Sequence, residues 1–319
     1  MMGREGEDRG SYSRSTQPDP SHLQRNRLSR ANSLTIREMF EPANWFVGEG
    51  CLGATLLSMA SEEHMRVAMF ASGNVGRDAL QLTLAHPKAE VRLVGLAADG
   101  DPTANRDIRQ LAGSVPCIEL TRTVPEAILA ELRGFDLELI VLAWWPYILK
   151  ADLLAVPSIG CINFHPGFLP HCRGMTSNFW AIVEQRPYGV TLHLADASVD
   201  GGDIAFQMEL PVTWEDTGAT LLDRAMSSLV RLYDEHLDEI LAGRIGRRPQ
   251  SSGGSLHRRS ELDPVSQIHL DEPTTPRQLL NLLRARMLSP ANVVDEPGGA
   301  WFVDGDECYE VRVSIRRRQ

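Results

Sequence analysis

From Met65 onward the chain alternates short apolar runs with stretches of helical spacing, and no other feature restricts its fold as strongly. The runs at residues 67–71, 91–97, 137–143 and 161–165 are flanked by turn residues and rich in Val, Ile, Leu and Ala. That is the pattern of strands buried on both faces of a parallel sheet. Helical spacing falls between them, at residues 77–85, 124–133 and 150–154. Strand and helix in repetition predict an α/β fold around a doubly wound, mostly parallel sheet.

The pattern changes after residue 188. In GVTLHLAD (residues 189–196), Val190, Leu192 and Leu194 share one face while Thr191 and His193 share the other, as in a half-buried strand. Residues 204–212 read as another strand. Residues 218–242 place Leu221, Leu222, Ala225, Leu229, Leu232, Leu237 and Leu241 at helical spacing, with Gly243 closing the helix. A Gly/Ser/Arg linker is expected at 244–255. A helix at 276–286 and strands at 300–303 and 309–315 then form a small α/β appendix. Residues 1–42 are rich in Arg, Ser, Asp, Gln and Gly without apolar period, and 43–64 add no clear element. The organisation expected is a disordered tail over 1–64, a main domain over 65–245 and a small C-terminal domain over 256–319.

Composition excludes some classes. A formal net charge of -10 disfavours a broad surface for non-specific nucleic-acid binding. Five scattered cysteines without CxxC pairing suit a reducing, cytoplasmic setting and indicate no metal site. The longest apolar run, at residues 139–149, is shorter than the roughly 20 residues that a membrane helix needs.

Chemistry concentrates between residues 161 and 204. Asn163 and His165 are two apart on a strand, so they share a face. They lie at its carboxyl end, just before Pro166-Gly167, where open α/β sheets bind ligands. An amide that donates to a developing oxyanion, an imidazole that shuttles a proton and a carboxylate such as Asp200 that orients it would suit acyl transfer. Taken alone, Asn-x-His on a strand is more often structural, and an Asp before Gly-Gly is more often a turn residue.

The surrounding words decide the reading. INFHPGFLPHCRG (residues 162–174) resembles the formyltransferase motif in which Asn-x-His is followed by Leu-Pro-x-x-Arg-Gly. VTLHLADASVDGGDIAFQ (residues 190–207) resembles that family's second motif, in which an Asp precedes x-Gly-Asp-Ile. The two occur in the right order, and FWAI (residues 179–182) fits the helix between them. The resemblance covers about residues 65–245 and implies a Rossmann-like sheet and N10-formyltetrahydrofolate as formyl donor. Asn163 and His165 would stabilise the tetrahedral intermediate, and Asp200 would orient His165. It also implies that the pterin docks against backbone at Tyr147, Ile148 and Leu149 and at Asp196, Ala197, Ser198 and Val199, with Leu169 and Pro170 beside the carrier.

The acceptor implied first is a nucleotide-linked amino sugar, because the last 60 or so residues resemble the short C-terminal part of sugar N-formyltransferases. A hydroxyornithine, the initiator methionyl-tRNA or water are the alternatives. Many relatives pair through their C-terminal parts, so a homodimer is expected. Two positions depart from the pattern: Pro166-Gly167, where many members carry a small residue then Ser, and Met175, where aminoarabinose-type members carry Arg. Loops 174–177 and 100–106 are expected to select the substrate. Trp144 and Trp145 read equally as ligand-stacking or core residues, and His193 reads as structural. His171 and Cys172 are adjacent but lack further metal ligands. SGNVGRD (residues 72–78) is not GxGxxG, which disfavours a nicotinamide-binding dehydrogenase.

Overall fold

The computed structural model describes residues 64–288 and 298–318. Apart from His64, the stretch read as a disordered tail lies outside the described residues. The chain begins β1 (Met65–Ala71), α1 (Gly73–Ala85), β2 (Ala89–Ala97), α2 (Pro102–Ala112), β3 (Cys117–Leu120), α3 (Glu126–Gly134), β4 (Leu139–Ala143), α4 (Ala151–Leu154) and β5 (Gly160–His165). It continues β6 (Arg173–Gly174), α5 (Ser177–Val183), β7 (Tyr188–Leu194), β8 (Ile204–Leu210) and α6 (Gly218–Leu241). The last elements are β9 (Leu256–His257), α7 (Leu262–Val265), α8 (Pro276–Arg286), β10 (Ala300–Asp304) and β11 (Glu307–Val311).

Seven strands form one sheet in the order β3-β2-β1-β4-β5-β7-β8. The first five are parallel; β7 and β8 run antiparallel. Each buried strand supplies two layers because its side chains alternate. In β1, Val67, Met69 and Ala71 join the core under α1, α5 and α6, whereas Ala68 and Phe70 join the core under α3 and α4. The apolar periodicity of α6 is borne out: Leu221, Ala225, Leu229, Leu232 and Leu237 are all buried, and Thr217 starts the helix with a capping box. Tyr233 on this helix is fully buried, and its hydroxyl pairs with Thr83 Oγ1 at 2.9 Å.

Several expectations need correction. α2 and β3 were not foreseen, because α2 buries only Ile108 and Ala112 and β3 is a four-residue edge strand. Helix α2 starts on Asp101, whose side chain accepts from Ala104 N at 2.7 Å, so residues 102–106 are helix rather than loop. Strand β7 is buried on both faces, not one. The loop after β5 folds back over its polar face, where Thr191 Oγ1 donates to Gly167 O at 2.7 Å and accepts from Leu169 N at 3.3 Å. The stretch 244–255 is not a free linker. Arg248 bridges Ile204 on the edge strand, and the chain goes on to pair β9 with β6. The C-terminal strand expected at 309–315 ends at Val311. Helix α8 packs against α5 and is tied to the loop between β8 and α6 by Arg284, which donates to Thr213 O at 2.6 Å and Asp216 O at 3.0 Å.

Candidate active site

The site forms where the sheet changes from parallel to antiparallel. Antiparallel register sets Asn163 of β5 opposite His193 of β7, and His165 opposite Thr191. Asp200 comes from the loop between β7 and β8. Its φ of +47° lies in the left-handed region, which Asp tolerates better than most residues. The carboxylate thereby returns over the end of β5. Asp200 Oδ2 lies 3.5 Å from His165 Nδ1, and Oδ1 lies 3.5 Å from His193 Nε2. Asn163 Nδ2 donates to Asp200 Oδ1 at 3.4 Å and stands 3.0 Å from His193 Nε2. Gly174 N donates to Asp200 Oδ2 at 2.9 Å. All three residues expected to be catalytic therefore meet, together with His193.

Burial alone would raise the Asp200 carboxyl. The imidazoles of His165 and His193 and the Gly174 amide outweigh it, holding the group well below the usual carboxylate range. Burial lowers His165, more than the nearby Asp200 raises it, so its neutral form is favoured. Nδ1 faces the ionised carboxylate, which assigns it the proton. Nε2 is buried and has no hydrogen-bond partner among the described residues. A neutral imidazole with one unsatisfied ring nitrogen is chemically a proton acceptor. Gly167 lies against that nitrogen: a Cβ there would stand 2.5 Å from His165 Nε2. Glycine at this departure from the family pattern thus lets the loop pack directly on the imidazole, where a Cβ would clash. Burial pushes the Cys172 thiol, in the same loop, up to about 12, which favours its protonated form.

The positions expected to hold the carrier line two loops. Tyr147 and Leu149 are buried, and Ile148 between them is 65% exposed. The Tyr147 hydroxyl donates to the Asp99 carboxylate. Leu120, Arg122, Trp145, Ile148 and Lys150 border a pocket beside this loop. Asp196, Ala197 and Ser198 are exposed and Val199 half-buried; Ser198 N and Oγ both donate to Asp196 Oδ1, at 2.8 and 2.6 Å. Leu169 is buried and joined to Pro170 by a cis peptide bond. Trp145 packs on Phe70 and Tyr147, and Trp144 packs against the opposite core.

A model of the formyl transferase family matches residues 65–236, more than half of the chain. The chain belongs to the formyl transferase family. It is 30% identical over 149 residues to a dTDP-4-amino-4,6-dideoxyglucose formyltransferase of Mycobacterium bovis, covering 47% of this chain and 61% of that protein. It is 29% identical over 192 residues to a methionyl-tRNA formyltransferase of Geobacter sulfurreducens, covering 60% of this chain and 57% of the relative. The chain thus spans about three fifths of the length of these curated relatives. The X-ray structure of a sugar N-formyltransferase from a Shewanella species shares the fold, with a TM-score of 0.67 and 23% identity over 80% of this chain and 99% of that one.

Two residues at this site escaped the sequence reading. His193 was read as structural, yet it faces Asn163 and Asp200. Its signal was an imidazole directly across an antiparallel pair from Asn163, visible only once the register is known. Gln250 lies in the supposed linker, but its Nε2 donates to Asp200 O at 2.7 Å and Gly202 O at 2.8 Å. No sequence signal marked it. Among the described residues no group of three or more His, Cys, Asp or Glu could hold a metal ion, and no helix is long and apolar enough to cross a membrane.

Proposed function

We propose that the protein transfers a formyl group from N10-formyltetrahydrofolate to the amine of a nucleotide-linked amino sugar. The observation that carries the reading is the convergence of Asn163 and His165 Nδ1 on the Asp200 carboxylate, which leaves a buried His165 Nε2 with no hydrogen-bond partner among the described residues. The donor supplies an activated formyl group. The acceptor amine forms a bond to the formyl carbon, and the bond from that carbon to N10 breaks. His165 Nε2 takes the proton released by the attacking amine and returns it to the departing nitrogen. Asp200 holds the imidazole and stabilises its charged form while it carries that proton. One hydrogen of Asn163 Nδ2 turns from its long 3.4 Å contact with Asp200 to the formyl oxygen, where negative charge develops.

The carrier fits the chain's own groups. An exposed Ile148 beside Trp145, with Arg122 and Lys150 at the pocket rim, suits a flat ring joined to an anionic tail. The amino-sugar acceptor draws support from the Mycobacterium relative, whose name specifies one. Residues 65–245 serve as the catalytic domain and 256–319 as the smaller one. The same reading expects a cytoplasmic homodimer, which sedimentation at micromolar concentration would test for pairing.

The experiment is release of tetrahydrofolate with a panel of nucleotide-linked amino sugars, hydroxyornithine, methionyl-tRNA and no acceptor. Release that depends on an amino sugar is expected. Dependence on another acceptor, or release with none, would replace the acceptor assignment; failure to bind the donor would overturn the whole reading.

A further inference from the structure

The match to the family ends at residue 236, yet residues 250–257 run back over the site. We propose that this segment is a clamp that positions Asp200, with Gln250 and Ser255 as its positioning residues. The proposal rests on the reading of Asp200 as part of a formyl-transfer site.

The contacts that orient Asp200 divide by length. Those to His165, His193 and Asn163 span 3.4–3.5 Å, at or beyond the limit of a useful hydrogen bond. The short bonds are to the clamp and to the loop that the clamp holds. Gln250 Nε2 grips the Asp200 carbonyl at 2.7 Å and the Gly202 carbonyl at 2.8 Å. The Gly174 amide grips the Asp200 carboxylate at 2.9 Å.

Gly174 is set in turn by residues 255–257. Ser255 O accepts from Arg173 N at 3.0 Å, and His257 O accepts from Met175 N at 3.1 Å. Ser255 Oγ accepts from Cys172 N at 3.2 Å and donates to Glu184 Oε2 at 2.9 Å. Gly174 has φ +86°, and a Cβ there would stand 2.2 Å from His257 O, so only glycine lets the two chains lie this close. The outer end is anchored at α5. The His257 ring stacks on Trp180 with 3.7 Å between centroids, and its Nε2 lies 2.7 Å from Glu184 Oε1. A carboxylate that must serve two imidazoles gains its direction from such supporting bonds, and tolerates little looseness in them.

The test uses the full chain with Gln250→Ala, Gln250→Glu, Ser255→Ala and Ser255→Thr. Two quantities are read: the titration of the 13C-labelled Asp200 carboxyl by NMR in ligand-free protein, and kcat and KM for formyl transfer. We expect Q250A, Q250E and S255A to move the carboxyl titration upward, toward the ordinary value of about 3.9. Their kcat should fall about tenfold with KM nearly unchanged. Ionised Glu fills the space of Gln250 but donates nothing, so it should not rescue; Thr keeps the hydroxyl of Ser255 and should. A segment that merely adds stability would lower Tm while leaving the titration and kcat per folded molecule as in the parent, and that result overturns the clamp. Should the Gln250 variants not fold, the Ser255 pair decides alone. A parent protein that transfers no formyl group overturns the function, while the carboxyl titration still judges the clamp.

Discussion

Strands β1, β2 and β4 and strands β5, β7 and β8 share one sheet but are built from different material. In β1 and β4 the buried positions are apolar, and any equally large apolar residue meets their need. At the other end, Asn163, His165, Thr191 and His193 project from strands as deeply placed, and each is tied to a particular partner. Of the six non-glycine residues with positive φ among the described residues, Cys172, Thr176, Gln185 and Asp200 lie there, while Asp136 and Trp144 flank β4. Buried polar groups cost stability unless they are matched, and a constrained backbone is kept only where its surroundings hold it. Strands β1, β2 and β4 are therefore scaffold, and the β5, β7 and β8 side of the sheet spends stability on matched polar groups.

The comparison would break most visibly at the triad. His165→Ala and Asp200→Asn should each lower formyl transfer by about a thousandfold or more, with circular dichroism and cooperative unfolding retained. Near-parental turnover in either variant removes the mechanism. The scaffold should respond in the opposite way. Ile140→Ala, at a fully buried position of β4, should cost about 2–5 kcal/mol in a denaturant titration while leaving kcat per folded molecule close to parental. A large loss of kcat without loss of stability would erase the division between the two halves.

His193→Phe sharpens the boundary. It keeps a ring in the buried slot but removes the nitrogen that faces Asn163 and Asp200, so turnover should fall about tenfold to a hundredfold. Unchanged turnover would return His193 to the scaffold.

Acid titration reads the polar end of the sheet, where His165 and Asp200 meet. Folded His165 binds its proton less readily than the unfolded chain, so its contribution is complete above the unfolded value of about 6.5 and is lost as pH falls through the folded value. Folded Asp200 is likewise depressed, so its contribution is complete above about 3.9 and is lost as pH falls further. Stability should fall in both windows in the parent, and His165→Ala should remove the upper component. Turnover should remain flat below the ordinary histidine value and fall only when His165 protonates. The smallest effect is expected at Tyr233→Phe, which gives up the bond to Thr83 for about 1 kcal/mol and no change in turnover.

Strands β1, β2, β4 and β5 were legible in the chain because burial on both faces of a strand demands an uninterrupted apolar run, and such runs announce themselves locally; the short edge strand β3 has no such run. The formyl transferase motifs were legible for a related reason: each is a continuous word whose strand, turn and loop are adjacent in sequence. The convergence of Asn163 and His165 follows from strand geometry alone. The place of His193 does not, because a cross-strand partner depends on register, which long-range pairing sets. The stretch 244–255 is a stronger case. Its Gly, Ser and Arg residues satisfy every local sign of a linker, and its hydrogen bonds go to residues some fifty to eighty positions away in the chain. Local composition reports what a segment can do alone; only the folded chain shows which distant backbone groups it must satisfy.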